Sequence, residues 1–244
     1  NIGDCDLIIF SAAIKSDNVE RAEAKRRGIP ELERSEALGQ LTEGYESVVG
    51  IAGCHGKTTI TSMLALICEQ GGPDATVHIG GFVDFLNGGV RLGAHDMFIT
   101  EACEYVESFL TLRPTIALIN NIDNDHLDYY GDMEHIVAAF KKFAALLPEN
   151  GLLIGNTDDF RVRALMAEHT GRKLSYGMKD ADYTPANINY DDNGCPGFDI
   201  MFRGEKLMHI QLRIPGEHSV MNAIAAATVA REIGADDHCI VSAL

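Results

Sequence analysis

The sequence predicts an α/β protein: a mostly parallel sheet flanked by helices, with a small antiparallel section, preceded by a separate partial strand–helix unit. Apolar runs of strand length alternate with amphipathic helical stretches between residues 47 and 169, the rhythm of strands joined by crossover helices. A glycine-rich loop, residues 53–56, joins the first of those strands to the first of those helices. From Asp182 to Ile214 the pattern changes to short alternating runs with turns at Asp192-Asn193-Gly194 and Arg203-Gly204, which favours antiparallel pairing.

In chain order, Leu7 to Phe10 reads as a buried strand, followed by Ser11-Ala12-Ala13-Ile14. A helix fits Val19 to Arg27, stopped by Gly28 with Pro30 just beyond, and a second fits Ser35 to Leu41 with Ser35 as its cap. Thr42 to Glu46 is polar and reads as a linker. Beyond it, Ser47–Ala52, Asp96–Thr100, Ile116–Ile122 and Leu152–Gly155 are expected strands. Thr58–Gln70, Met133–Leu147 and Asp158–His169 are expected helices, the last capped by Asp158. An Ala-rich helix spans Glu217 to Ile233 and stops at Gly234. The expected division is therefore residues 1–46 and residues 47–244.

Composition narrows the function. Hydrophobic residues at 46% supply a real core, and no apolar run reaches the roughly 18 residues of a membrane span. Asn1 to Phe10 holds two Asp and no basic residue, unlike a secretory signal. A net charge of −16 disfavours nucleic acid and anionic membranes. It leaves nucleotides open, because backbone dipoles, a lysine and Mg²⁺ hold phosphates on acidic proteins. The cysteines show no C-x-x-C spacing, so reduced thiols in a cytoplasm are expected.

Four strings carry chemistry. In Gly53-Cys54-His55-Gly56-Lys57-Thr58-Thr59, glycines let backbone N–H groups converge on an anion at a helix N-terminus. Lys57 would reach the terminal phosphates and the Thr58 hydroxyl would ligate Mg²⁺. Ile51 stands where the full Walker pattern has its first glycine, so this is a shorter, P-loop-type variant. By itself a helix-entry turn with a chance lysine is the competing explanation. Thr100-Glu101-Ala102-Cys103-Glu104 ends a strand, where open α/β sheets bind ligands, and Glu101 suits a Mg²⁺ ligand. A solvated pair of carboxylates is the commoner case for such a string alone. Asn120-Asn121-Ile122-Asp123-Asn124-Asp125-His126-Leu127-Asp128 also follows a strand, and His126 among carboxylates suits a second metal or a substrate contact. Pro215 to Asn222 opens the Ala-rich helix, with His218 and Asn222 four apart on one face; a capping turn explains it equally well. The first three strings each follow a separate strand and would converge on one sheet edge.

Together, in this order, the strings resemble the Mur ligase family, across essentially all 244 residues. His55 before Gly56 is similar to the branch that adds L-alanine to UDP-N-acetylmuramate, where other members usually have asparagine. Ser11-Ala12-Ala13-Ile14-Lys15 resembles a segment of the family's Rossmann-like UDP-sugar domain. Asp125-His126-Leu127-Asp128 and Pro215 to Asn222 resemble two further family strings. Cys54 replaces a usual threonine, Cys103 an aspartate of that branch, and Ser219 an asparagine. Phe140, beside Lys141, falls where other branches carry a carbamylated lysine, which favours the alanine-adding branch.

The resemblance implies an ATP-binding ligase domain over 47–244 and part of the UDP-sugar domain over 1–46. It implies ATP and Mg²⁺ as cofactors, and UDP-N-acetylmuramate and L-alanine as substrates. Lys57, Glu101 and His126 would be catalytic; Thr58, Glu101 and His126 would hold metal. Gly53, Cys54, His55, Gly56, Lys57, Thr58, Thr59, His218 and Asn222 would bind nucleotide. Ser11, Ala12, Ala13, Ile14, His55 and Glu104 would bind substrate. The family's glycine-rich opening and its third domain are expected outside these residues, so the stretch as given is expected not to complete ligation. A related ligase that recycles a tripeptide onto UDP-N-acetylmuramate, and a non-catalytic nucleotide-binding protein, are the alternatives.

Overall fold

The computed structural model describes residues 2–244. Its strands are β1 (Ile8–Phe10), β2 (Glu31–Glu33), β3 (Ser47–Ala52), β4 (Ala75–Val83), β5 (Gly88–Arg91), β6 (Ala94–Glu101), β7 (Ile116–Ile119), β8 (Leu152–Asn156), β9 (Arg172–Tyr176), β10 (Tyr183–Tyr190), β11 (Pro196–Phe202) and β12 (Glu205–Gln211). Its helices are α1 (Val19–Arg27), α2 (Arg34–Thr42), α3 (Lys57–Glu69), α4 (Leu127–Tyr130), α5 (Met133–Ala144), α6 (Phe160–Glu168), α7 (Glu217–Glu232) and α8 (Asp237–Ala243).

A ten-stranded sheet runs in the order β12-β11-β10-β9-β8-β7-β3-β6-β4-β5. The stretch from β4 to β10 is parallel, while β5, β11 and β12 are antiparallel to their neighbours. This is the predicted α/β class. One apolar cluster joins α3 and α7 to a sheet face through Ile60, Leu64, Ile67, Val220, Ile224 and Val229. A second gathers Phe109, Phe140, Phe143, Val162 and Leu165 with Ala117, Ile119 and Leu153. With both faces covered, the central strands are apolar without alternation, which is why Val48 to Ala52 is buried throughout.

The first residues differ from expectation. β1 and β2 form a separate two-stranded parallel sheet, and Ile9 is 55% exposed. Phe10 at the end of β1 packs under the Arg21 guanidinium, 3.6 Å from the ring centre. Two caps also shift by one or two residues. Glu33, not Ser35, caps α2 in a capping box with Glu36, and Asp159, not Asp158, caps α6. Asp158 instead accepts from the Met178 N–H. Asp159 has the greater role, because one oxygen accepts from Arg161 and Val162 N–H while the other accepts from Ile122 N–H. Asp159→Ala is expected to cost about 1–2 kcal/mol, read as a lowered urea midpoint; an unchanged midpoint would remove this role. The expected strand 116–122 ends at Ile119, freeing Asn120 to Ile122 for the site loop.

Candidate functional site

Strands β7, β3 and β6 lie side by side and parallel, with the chain leaving β3 between a later strand on each side. That is a topological switch point, where the loops beyond the carboxyl ends part and leave a crevice. The loop after β3 carries Gly53 to Gly56, the end of β6 carries Glu101 and Glu104, and the loop after β7 carries Asn120 to His126. Sheet order alone brings the strings together.

The phosphate-type loop is seated on the β7 loop by a set of amide bonds. Asn121 Oδ1 accepts from the His55 N–H at 2.8 Å, and Asn120 and Asn121 each donate Nδ2 to the His55 carbonyl at 2.9 Å. Cys54 Sγ accepts from the Asp123 N–H, and burial pushes its thiol up to about 11, so it is a protonated packing group. Gly56 has φ +89°, and a Cβ there would lie 2.5 Å from Asn120 Nδ2 and 2.7 Å from Asn222 Oδ1. Only glycine passes between those amides.

Asn222 is buried and turned onto this loop, whereas His218 is exposed beside Gly216. The two are not presented as a pair. Tyr176 completes the underside, donating its hydroxyl to Asn120 Oδ1 at 2.7 Å. Asn120 stands in the third string without a role of its own, and nothing in the sequence points to Tyr176.

Lys57 opens α3, and its ammonium bonds the Gly53 carbonyl at 2.5 Å and both Glu104 oxygens at 3.0 and 2.7 Å. Glu104 is 1% exposed and Lys57 15%. The main chain leaves Glu104 through Val106 and Glu107, both left-handed with φ 49° and 58°. Tyr130 holds the Glu104 carbonyl from its buried hydroxyl. His126, itself at φ 55°, places Nε2 3.8 Å from Glu104 Oε1, and its ring lies against Tyr105 with centres 4.8 Å apart.

Ligand atoms of Glu104, Asp125 and His126 all lie within 4.8 Å of one another. Mixed carboxylate and imidazole donors of this kind suit a divalent ion. Glu101 has a different partner, accepting the Gly80 N–H at 2.9 Å, and Gly81 next to it lies against Thr58. Strand β4 therefore backs both Thr58 and Glu101. Lys57 and Glu101 share a cavity of about 170 Å³ whose walls include Arg34, His78 and Cys103.

Other expected residues are placed apart. Ser11 to Ile14 form an exposed turn after β1, tied down where Arg21 donates to the Ile14 carbonyl. His55 is exposed with Nε2 3.7 Å from Asp123, and Thr59 is half-buried on the first turn of α3. Phe140 is fully buried and Lys141 pairs with Glu168 on the surface, so α5 sends no lysine into the crevice.

A switch-point crevice with a lysine-bearing glycine loop and an acidic, histidine-containing rim defines a phosphate-binding α/β domain. The chain belongs to the Mur ligase family: its middle-domain model matches residues 51–230, and the model described as the family's catalytic domain matches residues 1–46. A UDP-N-acetylmuramate–L-alanine ligase of Clostridium beijerinckii is 43% identical over all of this chain and 53% of its own length. The chain thus spans about half the length of the curated relatives it matches. Among solved structures, the UDP-N-acetylmuramate–alanine ligase of Thermotoga maritima superposes with a TM-score of 0.85 at 25% identity, covering 100% of this chain and 55% of that one. The UDP-N-acetylmuramate:L-alanyl-γ-D-glutamyl-meso-diaminopimelate ligase of Neisseria meningitides gives 0.84 at 25% identity, covering 98% and 78%.

Proposed function

We propose that the protein to which these residues belong joins L-alanine to the carboxylate of UDP-N-acetylmuramate at the expense of ATP, a step of peptidoglycan precursor synthesis. The observation that carries this is the convergence of Lys57, Glu101 and His126 at three adjacent strand ends. Relatives at 40–44% identity named for that reaction give the substrate pair its support. Residues 47–244 act as the ATP-binding domain and residues 1–46 as part of the UDP-sugar domain, with Ser11 to Ile14 facing that substrate. The free thiols among the described residues favour a cytoplasmic setting. Among the described residues no helix is long and apolar enough to cross a membrane.

The chemistry follows from charge. The carboxylate oxygen attacks the γ-phosphorus, the bond to the β,γ-bridging oxygen breaks, and acyl phosphate and ADP form. The alanine nitrogen then attacks the acyl carbon and phosphate departs. Both first-step reactants are anions, so positioned positive charge supplies most of the catalysis. The first N–H groups of α3 and Lys57 hold the β- and γ-phosphates, and Asn222 keeps Gly56 in place beneath them.

Carboxylates outnumber cations around the loop, through Glu101, Glu104, Asp123 and Asp125, so a triphosphate needs metal to enter. Thr58, Glu101 and His126 would hold Mg²⁺, which supplies neutralisation of the phosphate charge. Glu101→Ala is expected to raise the Mg²⁺ concentration for half-maximal activity at least about tenfold; an unchanged metal titration would remove Glu101 from this role. ADP release by the full-length protein, given UDP-N-acetylmuramate with L-alanine or with the tripeptide in turn, tests the proposal. Turnover with the tripeptide alone would replace it with the recycling reaction, and no turnover with either would leave a nucleotide-binding role.

A further inference from the structure

Arg34 opens α2 from the N-terminal segment and lines the same cavity as Lys57, His78 and Glu101. In an acidic chain most arginines find carboxylates: Arg21, Arg26, Arg27, Arg91, Arg172, Arg203 and Arg231 each pair with at least one. Arg34 makes no hydrogen bond or ion pair with any described residue. The reason is local. The acids beside it in sequence, Glu33 and Glu36, are consumed by the capping box, accepting from the Ser35 and Glu33 N–H groups. Among the described residues a guanidinium without a counter-ion is thereby left lining the slot.

The slot is built to keep it there. Thr111 donates its hydroxyl to the Ser35 carbonyl at 2.8 Å, and Gly39 lies so close to the Thr111 backbone that a Cβ would sit 2.5 Å from its oxygen. Helix α2 is thus fastened to the nucleotide domain. The charge is felt inside the slot: burial, and then Arg34, holds His78 below its ordinary value. At about 170 Å³ the slot is too small for a nucleoside triphosphate but takes a carboxylate with its short substituent. Arg34 and Lys57 both line it, so an anion held by Arg34 shares the slot with whatever Lys57 holds.

We propose that Arg34 binds the carboxylate of the acceptor and aims it at the phosphate held by Lys57. This rests on the ligase reading and adds to it the residue that recognises the reacting group. A guanidinium offers a carboxylate two parallel N–H bonds, which an ammonium cannot reproduce. Arg34 is also exposed and makes no bond among the described residues, so its replacement is expected to leave the fold intact.

The test uses the full-length protein and the Arg34→Ala and Arg34→Lys variants. Arg34→Ala should raise KM for UDP-N-acetylmuramate about 10- to 100-fold and leave KM for ATP within about twofold, with Arg34→Lys in between. In calorimetric titrations, the preference for UDP-N-acetylmuramate over UDP-N-acetylglucosamine, which lacks the carboxylate, should collapse in Arg34→Ala. Unchanged acceptor KM and an intact preference would overturn the assignment, and so would a parallel rise in KM for ATP. If the unaltered protein turns over normally and Lys57→Ala does not, a normal Arg34→Ala removes only the Arg34 assignment. If the unaltered protein releases no ADP with this acceptor, the ligase reading falls and takes the assignment with it.

Discussion

Lys57→Ala in the full-length protein is expected to slow ADP release at least about a thousandfold, equivalent to roughly 4 kcal/mol of transition-state stabilisation. The magnitude follows from position. Lys57 is the one side chain of the glycine loop that carries positive charge, and it sits at the N-terminus of α3, whose first N–H groups have no intrahelical partner. Charge developing on the transferring phosphoryl group has no comparable partner there. Binding of ATP should weaken less than turnover, since the loop amides remain. Near-normal turnover would remove the loop from the chemistry.

Glu104 should show the second large effect, of a different kind. Its carboxylate is buried and its two oxygens embrace the Lys57 ammonium, so Glu104→Ala leaves a nearly buried cation with backbone carbonyls alone. Breaking such a pair costs about 3 kcal/mol of folding stability. Activity should also fall, by roughly 10- to 100-fold, because Lys57 loses the group that fixes its direction. Glu104→Gln keeps the shape and one hydrogen-bond acceptor and should lose activity with a smaller loss of stability. Glu104→Asp should recover part of both. The measurement is a denaturant midpoint beside KM for ATP and kcat for each variant. A set in which stability falls and kinetics do not would make Glu104 a purely structural residue. At 1% exposure Glu104 lies too deep for direct contact with a sugar, so its effect on substrate is expected to run through Lys57.

The alternation of strands and helices was legible from Ser47 onward because β3, β7 and β8 are buried on both faces and read as uninterrupted apolar runs. Strands β4 and β5 were not, since Gly80, Gly81, Gly88 and Gly89 break the alternation and pairing with β6 decides the outcome. Strand β9, Arg-Lys-Leu-Ser-Tyr, is polar in composition and is recruited by β8. The sites on the three loops were readable as strings of reactive residue types. Which glutamate meets Lys57 was not, because that depends on the left-handed turn at Val106 and Glu107, residues that rarely adopt it. Arg34 was likewise invisible: its significance lies in the absence of a counter-ion among the described residues, and its sequence neighbours are acidic.

The central claim is that Lys57, Glu101 and His126 act on one bound triphosphate. A crystal structure of the full-length protein with a non-hydrolysable ATP analogue and Mn²⁺ measures this directly. The claim requires Lys57 Nζ within hydrogen-bond distance of the terminal phosphates, with anomalous density beside Thr58 and Glu101 and a second peak at His126. Phosphates seated elsewhere, or manganese bound away from these side chains, would contradict it.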